Sequence, residues 1–381
     1  MVIFDACERT DGSPSAHIES MFAFVNRVAS PFWDRVRGLI ETWFGSLDPE
    51  TRDDLRGRLR SDDDRQCRAA FWELYCHETL LRLGFEVTSH PDGLGERGRP
   101  DFLAERDDVR FVLEATMAGD ADAEVSVARL ENNIFDAINR VDLPNFTPCA
   151  TVKGHGKVQP SLSRLRRELG GWLQSLDVDQ VRAIGLSEPW MWEDRGWRVE
   201  FMACPRSPAL LGKPGIRALL SFEPTWGSHD EARPIRGAIV NKANAYGALG
   251  LPFVVAVATR PWRDAPSDVD VTRGLFGEIS RVGPKRDRDG AWSGPSGTRN
   301  TRVSGVLVAG HADPWRVGEL VPSLWHHPDA KHPIVLSETP WRQVAVDPST
   351  GAVSSEVPRS SPSSFFDLDD GWPGPEPPFP R

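Results

Sequence analysis

Pro100-Asp101-Phe102-Leu103-Ala104, a polar break at Asp107-Asp108, and Phe111-Val112-Leu113-Glu114-Ala115-Thr116 form the stretch on which the fold turns. Two short apolar segments flank the break, and each carries one carboxylate at the end away from it. A reversal centred on Asp107-Asp108 pairs residue 106 with 109 and, carried outward, sets Asp101 opposite Glu114. Directly opposed residues of an antiparallel pair have Cβ atoms roughly 4.5–5.5 Å apart, where like charges destabilise. The pairing therefore calls for a cation, and a hard divalent ion such as Mg²⁺ suits paired carboxylates. Between them Phe102, Leu103, Ala104, Phe111, Val112 and Leu113 are apolar on both faces, the pattern of strands inside a covered sheet. The competing reading is an edge hairpin in which Asp101 caps a turn after Pro100 and Glu114 ends a strand in solvent.

Upstream, residues 66 to 83 read as a helix stopped at Gly84, followed by a strand through Phe85-Glu86-Val87. Within that helix Glu73 has Ala69, Ala70, Cys76 and Leu80 as neighbours on its own face. A carboxylate among small apolar groups needs a reason. Helix with Glu, Gly turn, strand, Gly93-to-Gly98 loop, Pro-Asp strand and Glu-bearing strand come in the order that resembles the PD-(D/E)XK nuclease superfamily, the fold of many restriction endonucleases and repair nucleases. The resemblance covers about 50 residues, Gln66 to Thr116. It implies an α/β fold with a restriction-endonuclease-like αβββαβ core. It assigns Glu73 to the first-helix acid, Asp101 to the motif Asp and Glu114 to the second acid. It further implies a Mg²⁺ site, served also by Mn²⁺, held by Asp101, Glu114, the carbonyl of Ala115 and Glu73.

The family pattern places Lys two residues after the second acid, on the same strand face by period 2. Here that position is Thr116, left as an orienting hydroxyl, and the lysine must come from elsewhere or the site is inactive. Ile235 to Gly247 reads as a helix with an inward stripe at 235, 239, 242, 246 and 249, so Lys242 lies inside that stripe. Leu251 to Ala258 follows as a continuous apolar run, a buried strand. Of 45 Lys and Arg residues only six are Lys, leaving 39 Arg, so a lysine on an inward stripe stands out. Lys242 is assigned to the missing lysine, with Lys153 and Lys157 as runners-up and a snorkelling structural Lys as the bland reading.

Composition bounds the rest. At 381 residues the chain has length for several domains. We expect an N-terminal helical cap over 1–62, a nuclease core over 63–262 containing an α+β insertion at about 117–234, a C-terminal α+β extension over 263–345, and a disordered Pro/Ser-rich tail over 346–381. Within the insertion we expect a helix at 124–141, strands near 146–153, 197–204 and 217–222, and a helix near 162–176. Should the 124–141 helix instead be the core's second helix, Asn132 and Asn133 become site candidates. Residues 272–281 read as a short helix, 303–308 as a strand and 320–328 as a loop whose His326-His327 is a weak metal motif. Five cysteines without close pairs predict free thiols. No signal-peptide pattern or long apolar run appears, which predicts a cytoplasmic protein that does not enter membranes.

The net charge is −10, but residues 1–64 hold 13 acids and 8 bases and residues 338–381 hold 7 and 3, so the ends carry −9. The near-neutral middle leaves room for phosphate contacts at Arg164, Arg166 and Arg167 or at Arg281, Lys285, Arg286 and Arg288. Fourteen tryptophans include Trp190, Trp192, Trp197, Trp226, Trp262 and Trp292 as stacking candidates. Gly154-His155-Gly156-Lys157 lacks the Walker A spacing. The expectation is a metal-dependent endonuclease acting on DNA, in restriction or phage defence by resemblance, with RNA as another target and a homodimer as another state. The alternative is an inactive relative that binds nucleic acid or protein.

Overall fold

The computed structural model describes residues 1–119, 122–141, 144–207, 231–259, 265–277, 289–347, 350 and 352–375. The chain opens with four helices, α1 (Met21–Arg27), α2 (Pro31–Gly45), α3 (Pro49–Leu59) and α4 (Asp64–Arg82). Asp63 caps α4 by accepting the Arg65 N–H, and the helix ends at Leu83 before Gly84. Strands β1 (Glu86–Ser89), β2 (Phe102–Arg106) and β3 (Val109–Met117) follow. The turn between β2 and β3 puts Asp107 at φ +50°, a left-handed conformation that Asp tolerates.

Next come α5 (Asp122–Asn139), β4 (Phe146–Gly154), α6 (Leu162–Ser175), α7 (Val178–Ile184), β5 (Trp190–Asp194) and β6 (Trp197–Pro205). The chain then forms α8 (Ala232–Ala243), β7 (Phe253–Ala258), α9 (Asp268–Phe276), the two-residue strands β8 (Ser293–Gly294) and β9 (Gly297–Thr298), and β10 (Gly305–Ala309). It closes with β11 (Ser323–His326), β12 (Arg342–Val346), β13 (Val353–Glu356) and α10 (Pro362–Phe365).

Two compact units result. One spans 1–13, 20–119 and 230–380, and the other spans 14–19 and 120–229. The first is a mixed α/β unit around an eight-stranded sheet of order β1-β2-β3-β7-β10-β11-β12-β13. β1, β2 and β3 run antiparallel to one another, whereas β3 with β7 and β7 with β10 are parallel. β7 is buried at all six positions, as its unbroken Phe253-Val-Val-Ala-Val-Ala258 run requires of a central parallel strand. Alternation along the strands divides the core. Phe102, Phe111, Leu113, Val254 and Ala256 pack with Trp33, Trp43, Phe71 and Trp72 of the N-terminal helices. Leu103, Val112, Val255 and Val257 pack with Ile235, Ile239 and Ala243 of α8 and Leu275 of α9. The sheet is thus covered on both faces.

Four expectations change. Residues 320–328 are not simply a loop: Leu324 and Trp325 are fully buried in β11, which pairs with β10 and β12. The later strands continue the same sheet, so 263–345 is no separate extension. The tail is ordered over 352–375, because Phe366 inserts between Trp43 and Tyr75 at centroid distances of 5.1 and 5.3 Å. Pro and Ser there shape a capped turn, with Ser361 accepting the Ser364 N–H of α10. The short helix near 272–281 begins earlier, at Asp268, where Ser267 and Asp270 form a capping box.

The second unit has its own three-stranded antiparallel sheet, β4-β6-β5. Its core joins Ile134, Phe135 and Ile138 of α5 and Leu165 and Leu169 of α6 to Trp192, Trp197 and Phe201. The expected strand at 217–222 lies outside the described residues. Among the described residues no helix is long and apolar enough to cross a membrane, and all five cysteines are free thiols.

Candidate active site

The β2–β3 register pairs Phe102 with Leu113 and Arg106 with Val109, which carried one residue outward sets Asp101 against Glu114. Main-chain donors lock this opposition from both sides. The Asp101 N–H donates to Glu114 Oε2 at 3.0 Å, and the Ala115 N–H donates to Asp101 Oδ2 at 2.7 Å. By the alternation that sends Leu103 and Val112 toward α8, both acids face that helix. Glu114 is 1% exposed.

Its cation comes from α8. Lys242 Nζ lies 2.5 Å from Glu114 Oε1, with a third of the lysine side chain still in solvent. The Tyr246 hydroxyl also donates to Glu114, and burial together with that carboxylate holds the phenol protonated far above its ordinary range. Asp101 is the strained partner. Burial, then the charges of Glu114 and Glu73, push its carboxyl well above the usual carboxylate range, against the lowering pull of the Ala115 N–H and Lys242. Two carboxylates facing one ammonium leave an anionic excess in a desolvated place.

The donor set fits a hard cation. Asp101 Oδ1 has no hydrogen-bond partner among the described residues. The N–H and C=O of a strand residue point to the same edge, so the Ala115 carbonyl faces the side on which its N–H meets Asp101. Asp101 and Glu114, tied together by these main-chain bonds, and the Ala115 carbonyl offer oxygen ligands of the kind Mg²⁺ takes.

Glu73 is not brought into that group. It sits on α4, on the other face of the sheet, and Arg58 of α3 holds both its oxygens at 2.6 and 3.0 Å. Its influence on Asp101 is through charge alone. Among the described residues no group of three or more His, Cys, Asp or Glu converges as a metal cage. Thr116 is half-buried, two residues beyond Glu114 on the same face of β3.

The other candidates lie elsewhere. Lys153 pairs with Glu200, Lys157 is exposed, and Asn133 binds Gln159, all in the second unit, where α5 also carries Asn132. His326 contacts Gln343, whereas His327 accepts the Asp329 N–H and contacts the Arg299 carbonyl, so the two rings serve separate partners. Trp192, Trp197 and Trp292 are core residues, which removes them as base platforms, and half-buried Trp190 stacks on Trp172 at 5.2 Å. Trp226, Trp262 and the Arg281-to-Arg288 cluster lie outside the described residues.

Sequence reasoning missed Tyr246 and the loop it anchors. The Glu96 N–H donates to the Tyr246 carbonyl at 2.9 Å, and a Cβ on Gly95 would sit 2.4 Å from that oxygen. The signal was present: Gly93, Gly95 and Gly98 precede Asp101, and Tyr246 lies one turn beyond Lys242 on the same stripe. Comparison with protein-family models, curated proteins and solved structures returns no match.

Proposed function

We propose that this chain is a divalent-metal-dependent phosphodiester hydrolase that cuts DNA, built on a restriction-endonuclease-like core. The observation that carries the reading is the ammonium of Lys242 on Glu114, directly beside Asp101. It supplies from α8 the charge that Thr116 cannot supply from β3. The order α4-β1-β2-β3-α8-β7, with adjacent strands β1-β2-β3-β7, supports the αβββαβ part of the reading.

Asp101, Glu114 and the Ala115 carbonyl would hold the ion. When bound, such an ion lowers the pKa of a water and stabilises charge on the scissile phosphate. The protein's part is orientation. Glu114 is fixed by three donors, from Asp101, Lys242 and Tyr246. Lys242, anchored to Glu114 and open to solvent on its other side, is placed to orient the attacking water and to balance charge. Glu73, clamped by Arg58, acts on Asp101 at a distance.

A second reading has its own observation. Lys242 on Glu114 and Arg58 on Glu73 neutralise two of the three acids with protein cations. That arrangement suits a platform which binds nucleic acid or protein without cutting it. A cleavage assay on plasmid DNA, single-stranded DNA and RNA with Mg²⁺, Mn²⁺ or EDTA decides. The hydrolase reading expects metal-dependent cleavage, lost in Glu114→Ala and in Lys242→Ala. Cleavage that survives Lys242→Ala removes the lysine's role, and a wild type inert on all three substrates favours the platform.

A further inference from the structure

In the second unit, the loop that leaves β4 and the tip of the β5–β6 hairpin touch backbone to backbone. Two glycines permit this. A Cβ on Gly156 would lie 2.4 Å from the Trp197 ring and 2.5 Å from the Arg195 carbonyl, and one on Gly154 would lie 2.9 Å from Arg198 Nε. The contact gathers cations at one edge. Arg195, held at φ +48°, donates from Nη1 to the Gln159 carbonyl at 3.0 Å, and Arg198 donates from Nη2 to the Lys153 carbonyl at 3.3 Å.

These cations differ from their neighbours. Arg164 is neutralised by Glu168 and Asp194, and Lys153 by Glu200. Lys157, Arg195 and Arg198 are exposed and have no carboxylate partner among the described residues. Each guanidinium has five N–H donors, so most remain to face solvent. Arg164, Arg195 and Arg198 border an open depression of about 530 Å³, with Trp197 at its floor. Of the acids bordering it, Asp194 already accepts the Ser161 N–H and Arg164, which leaves Glu193. Glu131 faces His155 at 3.9 Å, and burial pushes the Glu131 carboxyl up to about 7, which weakens its opposing charge at neutral pH.

We propose that this edge, with Lys157, Arg195 and Arg198 as the contacts, docks the phosphodiester backbone of duplex DNA. The choice of DNA rests on the hydrolase reading; the cationic edge does not. Forked guanidiniums on a rigid turn match phosphate oxygens. Among the described residues of this unit, Trp192 and Trp197 are buried and Trp172 and Trp190 stack on each other, so beside these cations no described tryptophan stands free for an unstacked base, which favours backbone contact over single-strand capture.

The test is fluorescence anisotropy of a short labelled duplex with the full chain in EDTA, where no cleavage occurs, across a salt series. Each phosphate contact contributes about 0.9 to the slope of log affinity against log salt. The Lys157→Ala/Arg195→Ala/Arg198→Ala variant should bind at least about tenfold more weakly at low salt, with the slope reduced by roughly 2.7. Lys157→Arg/Arg195→Lys/Arg198→Lys, which keeps the charges, should stay within a few-fold of wild type, separating lost contacts from lost folding. Arg182→Ala on α7, which leads into the opposite end of β5, should change binding little. A wild type that does not bind duplex, a triple alanine variant that binds like wild type, or a loss per charge equalled by Arg182→Ala overturns the proposal. A wild type that binds through this edge and never cleaves would sink the hydrolase reading and leave the docking surface standing.

Discussion

Lys242→Met is the most informative single change, because it removes the ammonium and keeps the aliphatic stem. Removing one partner of a buried ion pair costs about 3–5 kcal/mol. Glu114 is 1% exposed, but the Lys242 side chain is 32% exposed, so water screens the pair and about 2–3 kcal/mol is the appropriate loss. For a unit of this size that lowers Tm by roughly 5–10 °C. The variant then holds two opposed carboxylates with no ammonium between them. An ion that binds only the folded state adds about 2.7 kcal/mol at a hundredfold excess over its Kd. Mg²⁺ should therefore restore most of the lost stability in Lys242→Met, and more than it adds to wild type, where the ion and the lysine share Glu114. Lys242→Met/Glu114→Gln, which leaves one acid, should regain stability without metal and respond weakly to it. Thermal melts followed by tryptophan fluorescence, in EDTA and in Mg²⁺ or Mn²⁺ against NaCl of equal ionic strength, read all three. An unchanged Tm in Lys242→Met would show that the pair is a surface contact. A Mg²⁺ response no larger than that to NaCl would show that the carboxylates hold no divalent ion.

Arg58→Met strands Glu73 in the core and also removes Asp54's partner, and should cost about 3 kcal/mol in urea unfolding, with Arg58→Met/Glu73→Gln recovering most of it. Tyr246→Phe removes a hydroxyl that donates to a charged acceptor and should cost about 1.5–3 kcal/mol by the same measurement. His77 is buried, and burial holds its imidazole down to about 4 from 6.5, so the unfolded chain takes up a proton below pH 6.5 that the folded chain refuses until about pH 4. Stability should therefore fall as pH drops through that window, by up to roughly 3 kcal/mol. The fall should be absent in His77→Gln, and an equally steep decline in that variant would assign it to other groups.

Local pattern carried the elements whose reason is local. The hairpin was legible because alternation and the Asp107-Asp108 break act over a dozen residues, and β7 because six buried residues in a row have few other uses. The Glu73 helix was legible too, but its reason was not. Its partner, Arg58, sits on α3, a helix whose sequence reads as a charged surface segment, and nothing in the spacing says that one of its arginines turns inward. The tail failed for a similar cause: its composition is that of a disordered chain, and a single aromatic, Phe366, decides its placement by filling a gap between Trp43 and Tyr75. Long-range pairing of one side chain leaves no periodic trace.

Lys242 shows when a distant residue can be foreseen. β3 and β7 are parallel neighbours, so the chain must cross from one end of the sheet to the other between them, and the crossover helix has to cover a face. Val112 on β3 and Val255 and Val257 on β7 expose their apolar side chains on the face that α8 covers, and Glu114 shares that face. The inner stripe of α8 is thus obliged to lie over Glu114 however many residues intervene, and a charged residue within the stripe has few places to go but to that carboxylate. The second unit lengthens the connection without altering the constraint. That is why a lysine 128 positions away meets Glu114 while Thr116, two positions away, does not.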